Sequence, residues 1–108
     1  MVTKHPFELV YDEEVAHHLI SIERKYHPLI RQSIEEQLRY EPETKTRNRK
    51  PLSASTEFGE ATWEIRFGPG NRFRVFYRVD TKGRVVRILA IGVKIRAELW
   101  IGGERFEL

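Results

Sequence analysis

Four arginines stand in the stretch WEIRFGPGNRFRVFYRVD, at Arg66, Arg72, Arg74 and Arg78, and aromatic or β-branched residues fill most of the places between them. Guanidinium groups that converge make a site for phosphate, because their forked donors match its oxygens. Convergence depends on which side chains share a sheet face, and side chains alternate along a strand. Placing apolar against apolar sets Phe67 opposite Phe73, Ile65 opposite Val75 and Trp63 opposite Tyr77. Arg66 then lies directly across from Arg74, with Arg72 at the rim. A slip of one residue would set Phe67 against Arg72 and mix the faces, so the register is well specified. Like charges facing each other across a strand pair are destabilising. An arginine pair beside small residues therefore reads as a shallow cationic pocket for phosphate. The alternative is that Glu64 or Glu60 neutralises the pair, or that it splays into solvent.

A third strand extends this scheme through a Thr81-Lys82-Gly83 turn. Val79 meets Val85, Val75 meets Leu89 and Phe73 meets Ile91, while Ala90 falls opposite Arg74 and Gly92 opposite Arg72. Lys94 and Arg96 follow Gly92 and enlarge the cluster. At the far end of the same face Phe76, Val86 and Ile88 form an apolar patch. It is either a small second core under the C-terminal segment or a docking surface for a partner helix or strand. Arg78 lies beyond Phe76, away from the cluster.

The elements that position these residues follow from periodicity and turn chemistry. Phe7–Tyr11 alternates as a short strand. Asp12 can cap a helix with Glu13 and Glu14 in its first turn, and Val15, Leu19, Ile22 and Tyr26 fall on one stripe. Pro28 suits the start of a second helix, with stripe Ile30, Ile34 and Leu38. The 41–62 stretch has no apolar period and two prolines, a long polar loop of a kind that usually has a task. Three strands then form a meander: Trp63–Phe67, Arg72–Asp80 and Arg84–Val93. Gly102-Gly103 between two short runs predicts a C-terminal hairpin with a primed turn, with a helix near Arg96–Leu99 as the alternative. The expectation is one α+β domain over residues 1–108: strand, helical hairpin, three-stranded antiparallel meander, short C-terminal hairpin or helix.

Composition narrows the function. The 108 residues carry a net charge of +3 and no cysteine, which excludes disulfides and thiolate chemistry. From Glu8 to Glu43 there are nine acidic and four basic residues, a net −5; from Lys45 to Arg96 there are four acidic and thirteen basic, a net +9. A cationic side of this kind points first to nucleic acid. No apolar run reaches the ~20 residues of a membrane span, and the early acidic residues argue against an export signal. The histidines form no metal pattern: His17-His18 point in different directions from a helix, His5 precedes Pro6, and His27 suits a helix cap. No HExxH, Gly-rich phosphate loop or nucleophile triad is present.

With the elements in this order, Lys50-Pro51-Leu52, then WEIRFG, FRVFYRVD and ILAIGVKIRAEL resemble the RelE/ParE toxin superfamily of type II toxin–antitoxin systems, over nearly the whole chain. The resemblance implies a fold similar to the small microbial ribonucleases. For the RelE branch it implies a cytoplasmic enzyme that enters the ribosomal decoding site and cuts messenger RNA there, with no metal or cofactor. A cognate antitoxin would block it and join it in an autoregulatory complex on operator DNA. The ParE branch shares the fold and poisons DNA gyrase instead. Arg66, Arg74, Lys94 and Arg96 match basic positions of the RelE pattern. Glu64 stands where that pattern has a lysine, and Trp100 where it has a base-stacking tyrosine. These departures keep a non-catalytic alternative open, either a gyrase inhibitor or a nuclease-inactive antitoxin-binding protein.

Cleavage by this route activates a 2′-hydroxyl and builds charge on the phosphate. Arg66 and Arg74 would stabilise that charge, and Lys94 or Glu64 would exchange protons. For Glu64 a plain salt bridge to Arg66 is the competing reading. Arg47, Arg49 and Lys50 of the long loop, with Arg72 and Arg96, would track messenger and ribosomal RNA phosphates, and Trp100 would stack on a base.

Overall fold

The computed structural model describes residues 5–52 and 61–106. Among these residues, seven strands of one mixed sheet carry two helices on one face. In chain order these are β1 (Glu8–Tyr11), α1 (Glu14–Ile20), a 3-10 turn (Arg24–Tyr26), α2 (His27–Leu38), β2 (Arg49–Pro51), β3 (Trp63–Phe67), β4 (Phe73–Asp80), β5 (Val85–Ile95), β6 (Glu98–Ile101) and β7 (Glu104–Phe106). The sheet runs β2-β3-β4-β5-β6-β7, and β1 adds to β5 in parallel. β4 covers one edge of β5. The other edge is shared, with β1 along Val85–Ile88 and β6 along Gly92–Ile95.

The expected three-stranded meander is thus the centre of a larger sheet. The 41–62 stretch was expected to be all loop, yet Arg49–Pro51 forms β2 against β3. Pro51 is tolerated because β2 is an edge strand. The first helix is shorter than its apolar stripe. α1 ends at Ile20, and Ile22 and Tyr26 reach the core from the turns that follow. Asp12 Oδ2 accepts from the Glu14 N–H at 3.3 Å, and Pro28 lies in the first turn of α2. His27 Nε2 lies 2.9 Å from the carbonyl oxygens of both Leu19 and Ile22. Two acceptors require Nε2 to carry the proton, so His27 satisfies the end of α1 as it begins α2.

The β3–β4 register is the expected one, Phe67↔Phe73, Ile65↔Val75 and Trp63↔Tyr77, with Arg66↔Arg74. The β4–β5 register is not. Arg84 joins the turn with a left-handed φ of 54°, so Asp80 pairs with Val85 and Tyr77 with Ile88. The ladder then shifts between Phe76 and Tyr77, past Leu89, and resumes as Phe76↔Ala90 and Arg74↔Gly92. Each change adds one residue on the β5 side, and a single residue reverses the face of everything beyond it. Val86 and Ile88 consequently point under the helices, fully buried in the main core with Ile34, Ile65, Val75 and Tyr77. Phe76 stays on the other face but is fully buried too, in a second cluster with Ala61, Ala90, Leu99 and Ile101. The expected docking patch of Phe76, Val86 and Ile88 is therefore core, split between two faces.

The C-terminal hairpin forms as expected. Gly102 and Gly103, at φ 60° and 83°, make the turn between β6 and β7, the positive pair that a primed type I turn requires.

Candidate functional site

β3 and β4 bring Arg66 and Arg74 directly opposite each other on the face away from the helices. Between them lies Glu64, two residues before Arg66 and only 2% exposed. Arg66 Nε donates to Glu64 Oε1 at 2.6 Å, and Arg74 Nη1 lies 3.9 Å from the same oxygen. Arg74 Nε donates to the Asn71 carbonyl at 3.2 Å, which fixes the guanidinium at the mouth of the 3-10 turn Pro69–Asn71. Burial pushes the pKa of Arg74 down, and the charge of Arg66 pushes the same way against the pull of Glu64. An arginine tolerates this and keeps its charge. Lys50 of β2 is exposed and directly across from Glu64, so it adds a cation on the far side of the pair.

On the other side of Arg74 opens a groove of about 470 Å³, lined by Arg74, Lys94, Ala97, Glu98, Leu99, Arg105 and Phe106. Lys94 pairs with Leu99, and Leu99 with Phe106. A row thus runs from the arginine pair through Lys94 to an aromatic side chain at the sheet edge. Glu98 Oε2 accepts from Arg105 Nη1 at 3.0 Å on the groove wall.

The remaining expected residues divide. Arg47 is exposed in the loop before β2, and Arg96 is exposed in the β5–β6 turn at φ 59°. Arg72 is exposed but leaves the arginine face. Its guanidinium stands 5.8 Å from the centre of the Tyr26 ring, on the helix side. Arg49 is 7% exposed. Its Nη2 donates to the Gln37 carbonyl at 2.8 Å and its Nη1 to the Thr44 carbonyl at 3.0 Å. Gln37 belongs to the last turn of α2, so Arg49 caps that helix, and both of its terminal nitrogens point inward. Trp100 pairs with Val93 and Arg105. Alternation puts its side chain on the helix face, opposite Arg74, away from any base held there.

Small residues do not open a phosphate pocket beside the arginines. Ala90 is buried in the second cluster. A Cβ at Gly92 would stand 2.8 Å from Ile101 Cγ1 and 3.0 Å from the Trp100 carbonyl oxygen, so Gly92 admits the close approach of β6. The open space lies further on, at Lys94. Arg105 and Phe106 were missed from sequence. Counting back through the Gly102-Gly103 turn places Phe106 beside Leu99 and Lys94, a signal that was present.

Among solved structures the chain is similar to one from the RelBE2 toxin–antitoxin complex of Mycobacterium tuberculosis, at 21% identity and a TM-score of 0.60, covering 88% of this chain and 97% of that one. The fold is therefore RelE-like, a small α+β domain with two helices against a mainly antiparallel sheet. No family model matches the sequence, and no curated protein matches it. Among the described residues no helix is long and apolar enough to cross a membrane.

Proposed function

We propose that the protein is the toxin of a toxin–antitoxin pair and acts as a ribosome-dependent endoribonuclease on messenger RNA in the cytoplasm. The observation that carries this reading is the cross-strand pair Arg66–Arg74, converged on one anionic oxygen beside a groove that ends in an aromatic residue. Two guanidinium groups at that spacing suit a phosphodiester whose charge grows during reaction. The 2′-oxygen attacks phosphorus, the bond to the 5′-oxygen breaks, and a 2′,3′-cyclic phosphate and a 5′-hydroxyl result. One proton leaves the 2′-hydroxyl and one arrives at the 5′-oxygen. Lys94, on the groove next to Arg74, is the proton partner we assign to the leaving oxygen. The oxygen of Glu64 nearest the clamp is already engaged by Arg66, which makes it a poor base. Phe106 takes the stacking role first expected of Trp100. Arg47, Lys50 and Arg96 contact phosphates of messenger and ribosomal RNA.

The partner is an antitoxin, as in the complex to which the fold is similar, and the pair would act together on its own operator DNA. Controlled expression with mapping of messenger 5′ ends tests the nuclease. In-frame cuts in translated messages, lost in Arg74→Ala but kept in Arg31→Ala, are expected. Growth arrest with intact messages and inhibited DNA supercoiling would replace this reading with a gyrase inhibitor of the same fold. The buried Glu64 between the arginines is the feature that favours that second, non-catalytic reading.

A further inference from the structure

Glu64 is an anion fixed on the face that a phosphate has to approach. It faces Phe76 across one strand pair and Lys50 across the other, and it is nearly inaccessible to water. Burying a carboxylate is costly unless cations and donors compensate it, so the two arginines hold it in place. Reciprocally, Arg66 and Arg74 tolerate facing each other because an anionic oxygen lies within reach of both. A carboxylate oxygen and a phosphate oxygen place the same demand on a guanidinium, a short charge-assisted N–H···O contact. The position a non-bridging phosphate oxygen would take is filled by the chain's own carboxylate.

The geometry points to Glu64 as a built-in occupant of the phosphate seat, an autoinhibitory contact that an incoming phosphodiester displaces. The inference rests on the reading of Arg66 and Arg74 as a phosphate clamp. The route of exchange is visible in the surroundings. Arg74 is buried and tied to the Asn71 carbonyl, so it stays. Arg66 is about one-third exposed and can turn from Glu64 to a phosphate. Lys50, exposed across the strand from Glu64, is placed to receive the released carboxylate. While Glu64 is seated, the three side chains sum to a single positive charge where the arginines alone would give two. The protein consequently binds RNA less tightly than its basic residues would allow.

The test uses the full chain and two probes, inorganic phosphate and a 2′-deoxy oligonucleotide that cannot be cut by this chemistry. Nuclear magnetic resonance of the arginine Nε–H groups reads the seat directly. In the wild type, phosphate is expected to shift the Arg66 Nε–H signal to saturation as the Glu64 contact is exchanged. Glu64→Gln keeps the size and removes the charge, and it is expected to bind both probes about tenfold more tightly. The gain should vanish in the double variant with Arg74→Ala. Glu64→Asp keeps the charge but draws it back from Arg66, and should show a smaller gain, which covers the case in which Glu64→Gln does not fold. Equal or weaker binding in these variants, or phosphate saturation that leaves the Arg66 signal unmoved, overturns the inference and makes Glu64 a positioning residue. If Arg74→Ala alone leaves phosphate binding unchanged, the clamp itself fails, a different outcome from the failure of the Glu64 variants.

Discussion

The Nδ1 atom of His18 accepts a hydrogen bond from the backbone N–H of Ile91 at 3.2 Å. On that edge of β5, pairing with β1 stops at Ile88 and pairing with β6 starts at Gly92. Asp12 N–H closes the β1 side on the Ile88 carbonyl at 2.9 Å, and the chain then leaves to form α1. The imidazole of α1 thus serves as a strand partner in the gap, where an unpaired buried N–H would be costly. His17 and His18 point in different directions from the helix, and one of the two is a fixed acceptor.

An acceptor at Nδ1 is compatible with neutral imidazole and not with imidazolium. The pKa of His18 is accordingly lowered from its ordinary 6.5, chiefly by burial and also by His17, against the pull of Glu14 and Asp12. The folded state then binds this proton less readily than the unfolded chain does. The contribution to stability is fully present above about pH 6.5 and is lost as pH falls through the folded value. Urea midpoints measured between pH 7.5 and 5 should fall more for the wild type than for His18→Asn, whose amide oxygen can accept from the same N–H without titrating. Parallel curves for the two proteins would refute the assignment.

Arg49 should matter for stability and not for RNA. It is buried and donates to the carbonyls of Gln37 and Thr44, so it joins the end of α2 to the loop before β2. Removing it leaves both carbonyls unpaired and a cavity beside Tyr77, whose hydroxyl donates to the Pro42 carbonyl at 2.7 Å in the same loop. Arg49→Ala is expected to cost about 3 kcal/mol in urea unfolding, and Tyr77→Phe about 1 kcal/mol. Arg47→Ala, two residues away and exposed, should change stability by less than about 0.5 kcal/mol. It should instead lower RNA affinity in a salt-dependent way. The reverse pattern would place Arg49 at the RNA surface.

The two sheet faces were legible in unequal measure, and the reason lies in parity. Along Trp63–Phe67 and Phe73–Val79 a large apolar residue at every second position fixes the β3–β4 register, and with it Arg66 opposite Arg74. Along β5 the same logic fails twice. Arg84 enters the turn and Leu89 enters a bulge, each adding a residue that neither composition nor periodicity marks. The first addition turns Val86 and Ile88 to the helices. The second turns Ala90, Gly92 and Lys94 back to the arginine face. The errors cancel for the charged end of the strand and not for the apolar end, so the cluster was legible and the docking patch was not. Arg49 fails for another reason. Its burial is decided partly by the Gln37 carbonyl of α2, twelve residues earlier in the chain, a tertiary fact with no local signature.

Phe106 and Trp100 offer a clean separation of faces. Phe106 lines the groove with Lys94 and Arg74, whereas Trp100 pairs one position along, on the side of the helices. Stacking of a base on an aromatic ring is worth about 1–3 kcal/mol. Phe106→Leu keeps much of the apolar contact with the second cluster and removes the ring. It should weaken binding of a short single-stranded RNA by roughly that amount. Trp100→Leu should leave the affinity within about twofold, less than ~0.5 kcal/mol. Fluorescence anisotropy of labelled RNA reads both. A larger loss in Trp100→Leu would show that the sheet edge rotates on binding.

Arg96 sets stability against binding within one residue. It opens the two-residue turn between β5 and β6, where Ile95 pairs with Glu98, and it holds a φ of 59°. A side chain in the left-handed region costs about 1 kcal/mol that glycine avoids. Arg96→Gly is therefore expected to raise unfolding stability by up to about 1 kcal/mol, reduced somewhat by the greater freedom of glycine in the unfolded chain. The same substitution removes an exposed cation beyond Lys94 at the end of the groove. If Arg96 contacts a phosphate, log affinity for single-stranded RNA against log salt should lose roughly 0.7 in slope. A protein that becomes more stable while its RNA affinity falls with this loss of slope identifies the strained turn as part of the binding surface. A gain in stability with an unchanged salt slope would leave Arg96 a solvated turn residue.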